Sequence, residues 1–370
     1  MWILAWSSKL ENELMDIFPL VRLAANKGAS DLHLVAYSPP LFRIDGLIQP
    51  MAEMSPLTPE DIEQAFRQLT SEQERADFER CLELDFGYTI PDVRRLRCNA
   101  AKQRGSISLT IRLIPLAIPS IEELGLPPVC KEFVLKRRGL VVVSGPSGSG
   151  KSTTLAAMIN HLNSLESRSV VTIEDPIEYL YTNNLCTITQ RELGSDTRSF
   201  AEALKHVLRQ DPDVILVGEM RDPETAAAVL TVAETGHLVL TTGHATSASQ
   251  AVERIIDLFP LHERHLAQTR LASLLNGILC QALIPRANGN GRIPAVEIML
   301  ASAAVRNNIR EGKIHQLPNA IITHARAGMI LFDQALVNLY REDVISKASL
   351  FDFCNDPDEV AKLTGKVEVP

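Results

Sequence analysis

The sequence predicts an α/β protein of two domains: a small α+β domain over residues 1–114 and a larger phosphate-binding α/β domain over 131–370 with a helical C-terminal region. A linker over 115–130 joins them. Three observations predict this. Strand-like and helix-like patterns alternate from 140 to 242, as they do where crossover helices join the strands of a parallel sheet. A complete G-x-x-x-x-G-K-[ST] pattern, Gly145 to Ser152, stands between an apolar run and a helical segment. Short alternating strands and capped helices fill the region before residue 115.

The elements follow in order. Leu14 to Asn26 is an amphipathic helix, with Leu14, Ile17, Phe18 and Val21 on one side and Gly28 ending it. Asp31 to Leu34 and Leu41 to Gly46 alternate like strands, with turns at Pro39-Pro40 and Asp45-Gly46. Thr58-Pro59-Glu60-Asp61 opens a helix with Thr as N-cap, Pro at the first helical position and acids in the first turn. Leu84 to Ile90, Leu96 to Ala101 and Ser106 to Ile114 read as further strands. Pro115 to Pro128 contains four prolines and one glycine, which reads as a linker with a short helix. In the second domain the strands fall at 140–144, 170–174, 214–217 and 237–242, and the helices at 152–162, 199–209 and 223–234. Ser199 and Glu202 form a capping box for the helix that carries Lys205 and Arg209. The stretch past Thr246 reads as mainly helical.

Bulk properties narrow the function. A length of 370 residues with 45% apolar content provides a sizeable core, and a net charge of −8 argues against a broad grip on nucleic acid. The basic clusters Arg94, Arg95, Arg97 and Lys136 to Arg138 read as solvated faces. Cys81, Cys98, Cys130, Cys186, Cys280 and Cys354 are scattered, with no C-x-x-C pair and so no zinc-site spacing; that usage suits a reducing cytoplasm. The start lacks a basic n-region and a small-residue cleavage site, and no apolar run is long enough to span a bilayer.

The glycine-rich loop implies a nucleoside triphosphate. Gly145, Gly148 and Gly150, with Ser147 and Ser149, let the backbone curl so that its N–H groups face phosphate oxygens. The following helix adds the positive end of its dipole. Lys151 reaches the β- and γ-phosphates, and the Ser152 hydroxyl ligates Mg²⁺. Glu174, Asp175 and Glu178 stand at the carboxyl end of a predicted strand, where a carboxylate can orient or deprotonate the attacking water. Glu219 follows the apolar strand Val214 to Val217 in the manner of a Walker B acid, one residue later than usual, and would hold Mg²⁺ through water. His237 and His244 bracket a strand at an odd offset, which is not a metal-ligand spacing; one of them reaches the ligand end of the sheet and could sense the γ-phosphate. Arg97 and Arg112, on strands of the first domain, are surface arginines by composition alone, though a neighbouring subunit's arginines can neutralise transition-state charge.

Four segments together resemble the secretion-superfamily ATPases of type II secretion and type IV pili: GPSGSGKSTTLAAM, TIEDPIEY, DPDVILVGEMRDPET and ETGHLVLTTGH, in the family's order. ASDLHL and RLRCNA resemble the family's PAS-like N-terminal domain, and the second domain its RecA-like P-loop domain. The segment Ala304-Val305-Arg306-Asn307-Asn308-Ile309-Arg310-Glu311 is similar to the AIRNLIRE motif of the pilus-retraction branch, whose members power twitching motility. The resemblance implies a homohexameric ring that binds ATP and Mg²⁺ between domains, with Thr153 and Arg209 near the nucleotide and Arg97 and Arg112 completing a site. It implies Glu178, or Glu174, as the base. It further implies an inner-membrane platform protein as partner, no direct nucleic acid, and a place at the cytoplasmic face of the inner membrane. Asn308 replaces an apolar Leu of the motif, Thr241-Thr242-Gly243 replaces the usual G-T-L, and Lys205 stands where some secretion members have an arginine. Pilus assembly or secretion, a weakly hydrolysing accessory paralogue and a nucleic-acid motor are the alternative readings.

Overall fold

A computed structural model of the chain describes residues 15–365 apart from 45, 91–93, 115 and 116. The expected helix start at Leu14, the N-terminal apolar stretch, Asp45 of the second turn and Pro115 of the linker lie outside the described residues. The chain divides into two compact units, residues 1–117 with 176–180 and residues 118–175 with 181–370. Each is described by itself.

In the first unit the order is α1 (Ile17–Asn26), β1 (Asp31–Leu34), β2 (Leu41–Ile44), β3 (Leu47–Pro50), α2 (Pro59–Leu69), α3 (Glu72–Cys81), β4 (Glu83–Ile90), β5 (Arg94–Gln103) and β6 (Ser106–Leu113). The six strands form one antiparallel sheet in the order β3-β2-β1-β6-β5-β4. Local chemistry sets the helix starts. The Thr58 hydroxyl accepts from Asp61 N–H at 3.1 Å while the Asp61 carboxylate accepts from Thr58 N–H at 3.0 Å, a reciprocal box that satisfies two otherwise orphaned donors. Ser71 and Glu74 do the same for α3. One face of the sheet is apolar: Leu32, Phe42, Leu96, Cys98, Leu109 and Ile111 pack against Ile17, Leu20 and Val21 of α1 and Ile62 and Phe66 of α2.

The second unit contains α4 (Val129–Val134), β7 (Gly139–Ser144), α5 (Lys151–Leu165), β8 (Ser169–Glu174), β9 (Thr187–Glu192), α6 (Phe200–Val207), β10 (Val214–Val217), α7 (Pro223–Glu234) and β11 (Leu238–Thr242). It continues with α8 (Ala248–Asp257), α9 (Arg264–Leu274), β12 (Leu275–Pro285), β13 (Arg292–Leu300), α10 (Ala303–Arg310), α11 (Leu317–Thr323), α12 (Phe332–Arg341), α13 (Lys347–Phe353) and α14 (Pro357–Thr364). Seven strands form one sheet, ordered β13-β12-β7-β11-β10-β8-β9, parallel except for β13. Helices cover both faces, so the central strands are mostly apolar, and all six residues of β7 are buried. Leu140 and Val142 pack into the layer with α6 to α9, and Val141 and Val143 into the layer with α4 and α5.

Two expectations are corrected here. The stretch past Thr246 is not simply helical: it supplies β12 and β13, of eleven and nine residues. And residues 118–130 are not a free linker, because Ile121, Leu126 and Cys130 are buried in the second unit's core. Strand β9 was also missed, being half exposed and polar in alternation.

Helix α10 is anchored through Arg306. Its Nη1 donates to the carbonyls of Ala272 and Ser273, both at 2.7 Å, and its Nε to that of Ala301 at 3.0 Å. Four of the cysteines are buried, Cys98 in the first unit's core and Cys130, Cys186 and Cys280 in the second's, while Cys81 is exposed. Burial pushes the Cys130 thiol up to about 12 and those of Cys98 and Cys280 upward as well.

Candidate functional site

The site residues of the second unit come from four adjacent parallel strands. In the order β7-β11-β10-β8, the chain leaves β7 into the glycine-rich loop, β11 towards His244 and β10 towards Glu219, while β8 ends on Glu174. All four features therefore stand at the carboxyl ends of neighbouring strands, the edge of an open α/β sheet where ligands sit.

The loop's geometry demands its glycines. At Gly145, φ is +146°, and a Cβ there would stand 2.2 Å from the Gln281 carbonyl oxygen. At Gly150, the N-cap of α5, φ is +88° and no side chain caps the helix, so the positive end of the helix dipole faces the loop. The Lys151 ammonium donates to the carbonyls of Gly145 and Pro146 at 2.9 and 3.0 Å, which folds it back over the loop. The Ser149 hydroxyl is buried and has no hydrogen-bond partner among the described residues. A polyphosphate fits this arrangement: it satisfies the orphaned Ser149 hydroxyl and suits the positive end of the helix dipole beside a lysine.

Gln281 is the residue that sequence reasoning missed. From β12, beside β7, its Nε2 donates to the Ser149 carbonyl at 2.7 Å, and its Oε1 accepts from Thr154 Oγ1 at 2.9 Å. It thus ties the loop to the first turns of α5. No local motif marks it; only the pairing of β12 with β7 could have pointed there.

Glu219 lies just past β10 with its side chain 15% exposed. Arg221 Nε meets Glu219 Oε2 at 2.7 Å, and His244 Nε2 stands 3.6 Å from the same oxygen. Thr242 Oγ1 donates to the Gly218 carbonyl, which locks the ends of β10 and β11 together. Gly243 N–H extends the ladder to the Val143 carbonyl at 2.9 Å, and a Cβ at Gly243 would stand 3.0 Å from Ser144 Oγ. The departure at Gly243 thus accompanies a close approach of β7 and β11. His237, at the opposite end of β11, bonds Thr235 Oγ1 at 2.9 Å and belongs to the turn. For Mg²⁺, Ser152 and Glu219 are a hard-oxygen donor set of the kind that holds the ion together with phosphate oxygens.

The remaining expected residues are distributed differently. Glu174 Oε1 accepts from Thr172 Oγ1 at 2.7 Å and from Gln190 Nε2 at 3.2 Å. Asp175 is exposed beside it. Glu178 does not stay with the loop's unit: residues 176–180 belong to the first unit, where Arg95 Nε donates to the Ile177 carbonyl at 3.2 Å and Arg97 Nη1 meets Glu178 Oε1 at 3.5 Å. Arg112 is bonded to Asp31. Arg209 is exposed in a 3-10 turn, and its side chain makes no hydrogen bond or ion pair with the described residues. Lys205 is tied to Glu224 of α7 at 2.8 Å.

Comparison with known proteins places this geometry. The profile of the family described as type II/IV secretion system protein matches residues 13–327. The type IV pilus retraction ATPase PilT of Pseudomonas aeruginosa is 42% identical over 344 residues, 93% of this chain and 99% of that protein. A twitching motility protein of Neisseria gonorrhoeae is 39% identical over 351 residues, 93% and 94% of the two chains. The crystal structure of the pilus retraction motor PilT with bound ADP superposes with a TM-score of 0.87 at 40% identity, covering 94% of this chain and 99% of that one. A phosphate-binding loop, a Walker B-like glutamate and a histidine on adjacent strands, carried by a chain that matches the family over residues 13–327, assign it plainly: it belongs to the family of type II/IV secretion system proteins.

Proposed function

We propose that this chain is an ATP-hydrolysing motor that powers the retraction of type IV pili. It is an ATPase. The observation that carries this is the delivery of the loop, Glu174, Glu219 and His244 to one edge of the sheet by four adjacent strands. The near full-length likeness to PilT directs the work to retraction and twitching motility.

The residues divide the labour. Lys151 and the N–H groups at the start of α5 bind and orient the phosphates, and the Ser149 hydroxyl adds a donor. Ser152 and Glu219 would hold Mg²⁺, which supplies neutralisation of phosphate charge when bound. His244, beside Glu219, reads the γ-phosphate. Glu178 takes the proton of the attacking water. Its contact with Arg97 is a single long one, whereas one oxygen of Glu174 already accepts two hydrogen bonds. Six copies form a ring, in which Arg97 and Arg112 of a neighbouring subunit neutralise charge at the transition state. Rigid-body motion of the units then drives an inner-membrane platform protein from its cytoplasmic face, with no nucleic acid involved and no membrane contact except through partners.

The test uses the full chain in two settings. Lys151→Ala and Glu219→Ala are expected to lower ATP turnover by at least about 100-fold while circular dichroism stays unchanged. An unchanged rate in either variant overturns the site. In a piliated host, deletion of the gene is expected to leave excess pili that do not shorten; normal retraction, or loss of pili, overturns the function.

A further inference from the structure

The register of the first unit's sheet sets four charged residues in one line across four strands. Arg43 on β2 lies opposite Asp31 on β1, Asp31 opposite Arg112 on β6, and Arg112 opposite Arg97 on β5. Residues paired in this way share one face of a sheet. The neighbouring register pairs, Leu32 with Phe42 and Ile111 with Cys98, take the other face and are buried. Two arginines directly opposite one another on adjacent strands repel. Here each has a carboxylate: Arg97 has Glu178, and Arg112 has Asp31.

The two pairs differ in kind. Arg97 and Glu178 are both half exposed and 3.5 Å apart, an arrangement that contributes little. Asp31 is only 5% exposed, and its carboxylate takes Arg112 Nε at 2.9 Å, Ser30 Oγ at 2.8 Å and the approach of Arg43 Nε at 3.7 Å. Burial alone would push this carboxyl up, but the hydrogen bonds from Arg112 and Ser30 and the nearby positive charge outweigh it and hold it below its usual range. Arg112, in contrast, has a side chain 61% exposed. Its only side-chain hydrogen bond among the described residues goes through Nε, the inner nitrogen. Both terminal amino groups therefore have no acceptor among the described residues, and these are the two donors with which a guanidinium grips an anionic oxygen pair.

We propose that Asp31 is a positioning residue for Arg112: it fixes the guanidinium by its inner nitrogen, leaves both terminal amino groups for phosphate oxygens, and offsets the repulsion between Arg112 and Arg97. This rests on the reading above that Arg112 serves a neighbouring subunit's nucleotide. A lysine at position 112 could not replace it, because an ammonium cannot be held at one nitrogen and donate from two others.

The experiment measures steady-state ATP turnover of the assembled full chain for Asp31→Asn, Asp31→Glu, Arg112→Ala and the double variant Asp31→Asn with Arg112→Ala. Asp31→Asn is expected to lower kcat by roughly ten- to a hundredfold, the size of effect that misplacing an acting group by about an ångström produces. KM for ATP should move less than about twofold, because the loop that binds the nucleotide is untouched. The double variant should be no slower than Arg112→Ala alone, since two residues that act as one do not multiply their losses. Should Asp31→Asn fail to fold, Asp31→Glu reads the same quantity: it retains the charge, shifts the carboxylate by one methylene, and should still lower kcat. Unchanged kcat in the folded Asp31 variant, or losses that multiply in the double variant, overturns the proposal. If Arg112→Ala itself leaves turnover unchanged, the intersubunit role of Arg112 falls instead, so the two failures are distinct.

Discussion

A single amide, that of Gln281, joins the phosphate-binding loop to the strand beside it. With its donor on the Ser149 carbonyl and its acceptor on the Thr154 hydroxyl, it fixes two points on either side of Lys151. Gln281→Leu keeps the volume but leaves both groups buried and unpaired, at a cost of about 1–3 kcal/mol each. The expected outcome is a lower melting temperature and nucleotide affinity weakened more than tenfold, read by titration with a fluorescent ATP analogue; unchanged affinity would show that the loop needs no such brace. The residue scale is also where the sequence was most informative and most blind. Lys151, Ser152, Glu219 and His244 were legible because short motifs carry them on elements whose type is plain. Gln281 was not, because its partners lie more than a hundred residues away and β12 meets β7 by a pairing that no local pattern encodes. Glu178 was legible as a residue but not as to its neighbourhood: nothing in TIEDPIEY says that the chain changes unit after Asp175.

At the scale of elements, caps and central strands were readable. Thr58 caps α2 as expected, whereas only half of the box expected at Ser199 forms, its hydroxyl accepting from Glu202 N–H at 3.0 Å, and the box at Ser71 went unread. β12 and β13 were misread because an apolar run such as LNGILCQALIP suits a buried helix as well as a buried strand, and only its neighbours decide. The retraction-like motif on α10 acquires a structural meaning here. Arg306 terminates α9 by satisfying the Ala272 and Ser273 carbonyls, which would otherwise be orphaned at the helix end. Removing it in Arg306→Ala forfeits charge-assisted hydrogen bonds worth about 1.5–3 kcal/mol. Calorimetry should find melting lowered by several degrees, whereas an unchanged Tm would assign this arginine to partner contacts alone. Asn308 is half-buried on the same helix and its side chain makes no hydrogen bond with the described residues, so the structure gives it no role of its own.

On the scale of the whole molecule, two units with separate cores should not melt as one. The loop, Gln281, Glu219 and His244 all belong to the second unit, so ATP or ADP should stabilise that unit by the linkage of binding to folding. At a hundred times Kd the gain is about 2.7 kcal/mol. A thermal scan with increasing ADP is expected to move one transition upward, and the shift should vanish in Lys151→Ala; a shift that survives would place the nucleotide elsewhere. The buried thiols extend this in a different direction. Alkylating reagents attack the thiolate, and the surroundings of Cys98, Cys130 and Cys280 suppress that form as well as access to it. Each becomes reactive only while the fold around it is open. Once the exposed Cys81 and the half-buried Cys354 have been blocked, the labelling rate of Cys98 times the opening of one unit, and those of Cys130, Cys186 and Cys280 time the other. The native chain thus contains its own pair of clocks, able to report which half loosens first under load, heat or substrate without any engineered probe.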